Sequence, residues 1–245
     1  MSALLRAELL KLRTTRTFIA FVAASVAIAL LITLLFGLLA TKFTEHDIKS
    51  VFALNFTSLF ILLLGVMGMS GEWRHRTITG TVLAAPDRLR LLGAKLLSYA
   101  AAGALLALGV TLAMVAVGSI ILSLRGETTL GAQAIIDVLW RNVAVGALLG
   151  ALGVGIGGLL RNQVPAIVGI LIFAFAVEPV LIAFAPGVAR FAPIQSAPNA
   201  IVRYVLFGVL PDNPLAPGIA VLVLLGWIAL FFAAAGARLK KFDLV

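Results

Sequence analysis

The sequence has no cysteine, only two histidines and few charged residues. The lack of cysteine excludes disulfide bonds, thiolate metal sites and cysteine nucleophiles. His46 and His75 lie far apart, and neither an H-E-x-x-H motif nor paired carboxylates within an apolar run are present. Metalloprotease and aspartyl intramembrane protease chemistry therefore lacks its residues. A G-x-x-x-x-G-K-[ST] phosphate-binding loop is also missing, so the sequence predicts no catalytic residue, metal site or bound cofactor of its own.

Long apolar runs occupy most of the 245 residues. Hydrophobic residues make up 62% of the chain and charged residues 12%, about half the usual charged share of a soluble domain. A helix needs roughly 20 apolar residues to cross a membrane. The sequence therefore predicts an all-α membrane protein, a single transmembrane domain over 1–245 with six transmembrane helices at about 18–40, 51–70, 96–122, 138–160, 164–185 and 218–237.

The residues before the first span are basic and leucine-rich. A basic start before an apolar run resembles a signal peptide, but 18–40 is longer than a signal core of about 7–15 residues, which favours a retained span. Leu5, Leu9 and Leu12 recur at helical spacing, so we expect an N-terminal amphipathic in-plane helix over 2–16. The alternative is a water-exposed extension of the first span.

The connection between the fifth and sixth spans, at 186–217, is both apolar and rich in proline. Its prolines exclude one continuous helix, while its apolar residues disfavour a solvated linker. We expect short re-entrant or interfacial helices on the extracellular side, with a disordered loop as the alternative.

Lysine and arginine are distributed unevenly between the two sides of the predicted bundle. The positive-inside rule places the richer side in the cytoplasm, with both termini. That side holds Arg6, Lys11, Arg13, Arg16, Arg74, Arg76, Arg88, Arg90, Lys95, Arg161, Arg238, Lys240 and Lys241. The opposite side keeps Lys42, Lys49, Arg125, Arg141, Arg190 and Arg203. Because topology accounts for the net charge of +9, we do not expect a nucleic-acid partner.

Few polar residues lie within the predicted spans. Glu178 is the one carboxylate there, and a charge at that depth is a candidate for function because its insertion is costly. It either lines a polar substrate path or serves structurally, capping the helix after Pro179 or pairing with Arg190. Asn55 and Ser58 of the second span are further candidates for the substrate pathway, with helix–helix hydrogen bonding as the alternative.

Small residues recur four apart in the fourth span, at Gly146 and Gly150 and at Gly153 and Gly157. This spacing lets helix backbones approach closely. The sequence therefore predicts tight helix packing here in preference to phosphate binding.

The charged segment 72–95, between the second and third spans, resembles the intracellular loop of type-2 ATP-binding-cassette permeases. The matching residues are Glu72, His75, Arg76, Thr77, Ile78, Thr79, Leu83, Pro86, Arg88 and Lys95, with Arg76 where these permeases commonly have glycine. Residues 8–16 also look like the start of such permeases, and the six-span layout agrees over the whole chain.

The resemblance implies a permease subunit of an ATP-driven exporter for an amphipathic or hydrophobic drug, peptide or lipid. ATP and Mg²⁺ would be bound by separate cytoplasmic ATPase subunits. A second permease subunit, identical or different, would pack on the first and fifth spans in the bacterial cytoplasmic membrane. The implied ATPase-coupling residues are Glu72, Trp73, Arg74, His75, Arg76, Thr77, Thr79, Pro86, Arg88 and Lys95.

Three alternatives to this reading stay open. The loop 72–95 could serve topology alone, its arginines following only the positive-inside rule. The chain could be an ion-gradient-driven secondary transporter, although it shows no clear internal repeat. It could also be a non-transporting membrane immunity protein.

Overall fold

The computed structural model describes residues 2–40, 43–53, 57–74, 77, 80, 87–204, 211 and 213–240. Within these residues every regular element is a helix. The helices are α1 (Ser2–Thr14), α2 (Arg16–Leu39), α3 (Glu45–Phe52), α4 (Thr57–Arg74), α5 (Arg88–Leu124), α6 (Ala132–Leu160), α7 (Gln163–Ile172), a π-helical turn (Phe173–Val177), α8 (Glu178–Phe184), α9 (Pro186–Ala189), α10 (Ser196–Val202) and α11 (Pro217–Lys240).

Six of the helical segments are long and apolar enough to cross a membrane, as the sequence predicts. They are Arg16–Leu39, Glu45–Arg74, Arg88–Leu124, Ala132–Leu160, Gln163–Phe184 and Pro217–Leu239. Several begin or end beyond the expected bounds; the third span, for example, starts at Arg88 because the Asp87 side chain accepts a hydrogen bond from the Arg90 N–H at 3.1 Å. Both ends of the expected loop 72–95, at 72–74 and 88–95, are therefore helical.

The N-terminal helix α1 is separate from the first span. Thr15 has an extended backbone (φ −85°, ψ 120°), which interrupts the helix between Thr14 and Arg16. The buried face of α1 contains Leu12 and Glu8, whereas Leu9, expected on the apolar stripe, is 39% exposed. A carboxylate thus takes a place on the buried face, which requires a cationic partner in the protein.

The core of the bundle is formed by α4, α5 and α6. Glycines let their backbones approach closely, which confirms the predicted packing. A Cβ added at Gly153 would lie 2.2 Å from the Leu62 carbonyl oxygen, and one at Gly146 would lie 2.5 Å from the Gly103 oxygen. Without a water-driven hydrophobic effect between helices in lipid, such close van der Waals contact is a main source of association.

The second span is interrupted between α3 and α4. Ala53 is extended (φ −66°, ψ 155°), so α3 ends at Phe52 and leaves carbonyl groups without helical partners. Asn142 of α6, fully buried, donates from Nδ2 to the Phe52 oxygen and to Thr111 Oγ1, both at 2.8 Å. A neighbouring helix thus satisfies a backbone group that cannot reach water.

The segment between the fifth and sixth spans contains the predicted short helices, α9 and α10. It packs onto the bundle: Trp227 of α11 donates from Nε1 to the Phe191 oxygen at 2.9 Å, and Arg141 of α6 donates to the Ile201 oxygen at 2.8 Å. Ile201 is fully buried, so α10 belongs to the folded core.

The bundle has two chemically different ends. At one, which we call the basic end, α1, the end of α4, the start of α5, the α6–α7 connection and the end of α11 meet. Arg88 Nη1 donates to the Leu239 oxygen at 2.6 Å, and Arg238 Nη1 to the Leu159 oxygen at 2.5 Å. At the opposite end Arg125 Nη1 donates to the Gly37 oxygen at 2.6 Å. Arg88 and Arg238 thus lie at one end of the bundle and Arg125 at the other, as the distribution of basic residues in the sequence predicts.

Replacing Gly153 with alanine tests the close packing of the core. We expect Gly153→Ala to destabilise the protein by about 1–3 kcal/mol or more, because the new methyl group forces two backbones apart. Gly109→Ala is the matched control, since a Cβ at Gly109 meets no atom within 4 Å. Thermal unfolding in detergent measures both, and equal melting temperatures for the two variants would contradict the packing.

Candidate functional site

Four charged side chains form a buried charge cluster at the basic end: Glu8 and Lys11 of α1, Glu72 of α4 and Lys95 of α5. Lys95 Nζ donates to Glu8 Oε2 at 2.7 Å and to Glu72 Oε1 at 2.8 Å. Lys11 Nζ donates to Glu8 Oε1 at 2.9 Å and to Glu72 Oε1 at 3.0 Å. The charges balance, and together they join three helices that are distant in the sequence.

Lys95 is the most deeply buried member, with 1% of its side chain exposed. The carboxylates of Glu8 and Glu72 are nearly as inaccessible, whereas half of the Lys11 side chain is exposed. Removing one partner from such a set leaves another charge unpaired in a medium that solvates it poorly. The cluster therefore fixes α1 against α4 and α5.

The electrostatics of α1 agree with this geometry. Burial raises the pKa of Glu8, but the ammonium groups of Lys95 and Lys11 lower it further, so that the net pKa lies below its usual value. For Lys11 burial lowers the pKa, and the carboxylates of Glu8 and Glu72 more than reverse this, leaving it above its usual value. Both groups thus favour their charged forms.

The predicted coupling residues fall into three sets. Glu72 and Lys95 lie on helices and are buried inside the cluster, so they face other parts of this chain. Trp73, Arg74, Thr77 and Arg88 lie at the same end of the bundle, and Arg74 and Thr77 line the cavity beside the cluster. His75, Arg76, Thr79 and Pro86 lie outside the described residues.

The second set holds the ends of α4 and α5 to their neighbours. The Arg161 guanidinium lies 4.7 Å from the centre of the Trp73 ring, a cation–π distance. Arg74 Nη1 donates to Gln163 Oε1 at 3.3 Å, and the Thr77 N–H donates to the Glu72 oxygen at 3.0 Å. The end of the second span is thereby connected to the start of the fifth, and Arg88 connects the start of the third span to the end of the sixth through the Leu239 oxygen.

A cavity of about 640 Å³ lies beside the charge cluster. Its walls come from α1, α2, α4, α5 and α7, and include the apolar side chains of Phe18, Leu64 and Met67. Lys11 and Arg74 line its polar part. The volume is within the range of small-molecule sites, roughly 300–1,000 Å³.

The candidates for a substrate pathway are not gathered around this cavity. Asn55 lies outside the described residues, and Ser58 is half-buried in α4. Glu178 is fully buried; its carboxylate accepts hydrogen bonds from the backbone N–H groups of Gln195 at 3.0 Å and Ser196 at 2.6 Å. It therefore holds the start of α10, and neither of its predicted structural partners, the helix after Pro179 or Arg190, takes this role.

Two features of the structure are not expected from the sequence. Glu8 and Lys11 lie within the predicted amphipathic helix, and no sequence pattern predicts their pairing with Glu72 and Lys95. The available signal was Lys95, a lone cation at the start of a long apolar run. Asn142, a lone amide within the fourth span, gave a similar signal for the break in the second span.

The fold and site define the class of this chain as a multi-pass helical membrane protein. A family model described as ABC-2 family transporter protein matches residues 4–178, most of the chain. The chain therefore belongs to the ABC-2 transporter family, whose members are non-catalytic transmembrane permease subunits. A comparison with curated proteins gave no match.

Replacing Lys95 with methionine tests the cluster. Lys95→Met keeps the length of the side chain but leaves two buried carboxylates with fewer partners, so we expect a loss of about 3–5 kcal/mol of stability. Arg90→Gln removes an exposed ion pair with Asp87 at the same end and should cost at most about 1 kcal/mol. Thermal unfolding compares them, and similar melting temperatures would refute the structural role of Lys95.

The contribution of Glu8 should depend on pH. Because its pKa is lower in the folded protein, its ionisation stabilises the fold above the unfolded-state pKa of about 4.3, and this is lost as pH falls through the folded-state value. Glu8→Gln should therefore lower the melting temperature at pH 7, with a difference from wild type that shrinks only as pH falls below about 4.3. Glu127→Gln, exposed at the opposite end, should match wild type at pH 7. A Glu8→Gln difference that does not change with pH would contradict the ionic role.

Proposed function

We propose that this chain is the permease subunit of an ATP-driven exporter, coupled to separate cytoplasmic ATPase subunits at the segment 72–95. The observation that carries this proposal is the position of the segment. Helix α4 ends at Arg74, two residues after Glu72, and α5 begins at Arg88, seven residues before Lys95. Both ends of the segment therefore adjoin the buried charge cluster.

The cluster makes this segment mechanically suitable for coupling. A force applied between Arg74 and Arg88 acts directly on the second and third spans. Since Glu8 and Lys11 join α1 to the same two helices, the N-terminal helix moves with them. The basic end therefore behaves as one connected unit to which a nucleotide-driven partner could bind. ATP and Mg²⁺ belong to that partner.

Within the proposal, the coupling residues have two kinds of role. Glu72 and Lys95 position the segment from inside the protein. Other residues of the segment, among them His75, Arg76 and Thr79, make the contacts with the ATPase. The concentration of basic residues at this end supports a cytoplasmic location with both termini inside, in the bacterial plasma membrane.

The first and fifth spans are proposed to pack on a second permease subunit. In an 18-residue apolar stretch of each, 17% of the residues are buried, against 22% for the sixth span and 60% and 67% for the second and fourth spans. Leu31 of α2 and Ile172 of α7 are each more than half exposed. These faces meet either lipid or another subunit, and the family resemblance favours the latter.

The substrate pathway through Asn55, Ser58 and Glu178 stays a prediction. The contacts of Glu178 favour its structural alternative, because both carboxylate oxygens accept backbone hydrogen bonds from Gln195. An amphipathic or hydrophobic substrate agrees with the mixed lining of the cavity at the basic end.

Co-purification with an ATPase tests the coupling. An affinity-tagged chain should capture a soluble protein with a Walker motif, and reconstitution with it should yield substrate-stimulated ATP hydrolysis. His75→Ala combined with Arg76→Ala should reduce capture at least tenfold without lowering the melting temperature. Arg203→Ala, at the opposite end, is the control. Unchanged capture and ATPase activity in the double variant would reject docking at this segment.

The absence of cysteine makes the subunit interface directly testable. Single cysteines replacing Leu31 or Ile172 should cross-link the chain to a second permease subunit in membranes. A cysteine replacing Leu105, which is 66% exposed on α5, is the control and should give little product. Cross-linking that is equal at all three positions would argue against the proposed interface.

A further inference from the structure

The cavity at the basic end combines a hydrophobic wall with a charged rim. Phe18, Leu64 and Met67 supply apolar surface, while Tyr99 closes the wall on the side of α5. This combination suits a ligand with an apolar tail and a polar headgroup. The sign of the charge that a ligand meets is decided by which charged groups remain accessible.

The accessible charges of the cavity are positive. Its lining contains three cations, Lys11, Arg74 and Lys95, against the two carboxylates of Glu8 and Glu72. The side chains of Glu8 and Glu72 are only 4% and 9% exposed, and both accept hydrogen bonds from the lysines. The carboxylates are thus neutralised within the protein before any ligand arrives.

Two cations remain within reach of a ligand. The Lys11 side chain is 49% exposed, although its ammonium group already contacts both carboxylates. Arg74 is exposed and donates to Gln163 Oε1, a neutral amide, and within the part of the chain that the structure describes no carboxylate pairs with its guanidinium. A guanidinium in this state offers two parallel donors that match a phosphate or carboxylate.

We propose that this cavity binds an amphipath with an anionic phosphate or carboxylate headgroup. Arg74 binds the headgroup, with Lys11 beside it, and the tail lies against Phe18, Leu64 and Met67. As a statement about the exported substrate the inference rests on the proposed function; as a statement about binding it concerns this chain alone.

Binding to the purified full chain in a neutral maltoside detergent tests the chemistry without any ATPase. Dodecyl phosphate and dodecyltrimethylammonium have the same tail and opposite headgroup charge. Native mass spectrometry or thermophoresis should show dodecyl phosphate binding at least tenfold more tightly, as expected for one charge-assisted hydrogen-bonded pair. Equal affinity, or tighter binding of the ammonium compound, would overturn the proposal.

Two variants locate the binding. Arg74→Gln should weaken dodecyl phosphate binding about tenfold, whereas Arg74→Lys should retain part of it and Arg90→Gln should leave it unchanged. Gly71 lines the cavity, and a Cβ there meets no atom within 4 Å, so Gly71→Leu should fill the space and block binding. Gly109→Leu, a similar change away from the cavity, is its control.

Melting temperatures accompany each measurement, so that loss of binding is separated from loss of fold. If Gly71→Leu fails to fold, Gly71→Ala replaces it and should give a smaller reduction. Identical affinities of Arg74→Gln and Arg90→Gln would refute the assignment of the headgroup site.

Two further experiments distinguish a structural lipid from an exported substrate as the source of the anionic amphipath. A structural lipid should co-purify from the membrane as an anionic phospholipid and should be lost in Arg74→Gln. An exported substrate should instead be moved across proteoliposomes by the chain with its ATPase. Either result supports the headgroup chemistry. If binding holds while ATPase capture fails, the proposed function is wrong and the anionic site stands.

Discussion

The arrangement of the basic end depends on the requirement that Lys95 keep its charge without access to water. An ammonium group in that position is tolerated only with carboxylates at hydrogen-bonding distance, and the two that it contacts come from different helices. This constraint fixes α1 against the end of α4 and the start of α5. Lys11 then completes the charge balance from the exposed side.

In the middle and at the opposite end of the bundle, backbone groups without access to water need hydrogen-bond partners within the protein in the same way. Asn142 satisfies a carbonyl group freed by the break in the second span, and Glu178 satisfies the N–H groups at the start of α10. Each of these polar side chains lies within an apolar helix and serves a neighbouring element. Between them, packing depends on glycines such as Gly65 and Gly153, where contact is too close for any side chain.

The sequence predicted the helices better than their contacts, for a physical reason. Membrane insertion depends on local apolar runs, so six spans and the short helices at Pro186 and Pro198 could be inferred from composition. The resemblance identifies the segment 72–95 but does not predict its helical ends. The start of α5 depends on the hydrogen bond that the Asp87 side chain accepts from the Arg90 N–H, which composition does not indicate. The pairing of Glu8 with Lys95 joins residues 87 positions apart, and no local pattern specifies which distant charge a buried lysine meets.

The fifth span is restrained at both of its ends. A short turn joins it to the fourth span, with Arg161 in the left-handed region (φ 53°) and the Asn162 side chain accepting from the Val164 N–H. At its other end Glu178 is bound to the chain before the sixth span. Between these anchors, Phe173–Val177 forms a π-helical turn, which carries one residue more than an α-helical turn would need. Returning that turn to α-helical form would both rotate and lengthen the span, so the contacts at Arg161 and Glu178 on either side of it hold the extra residue in place.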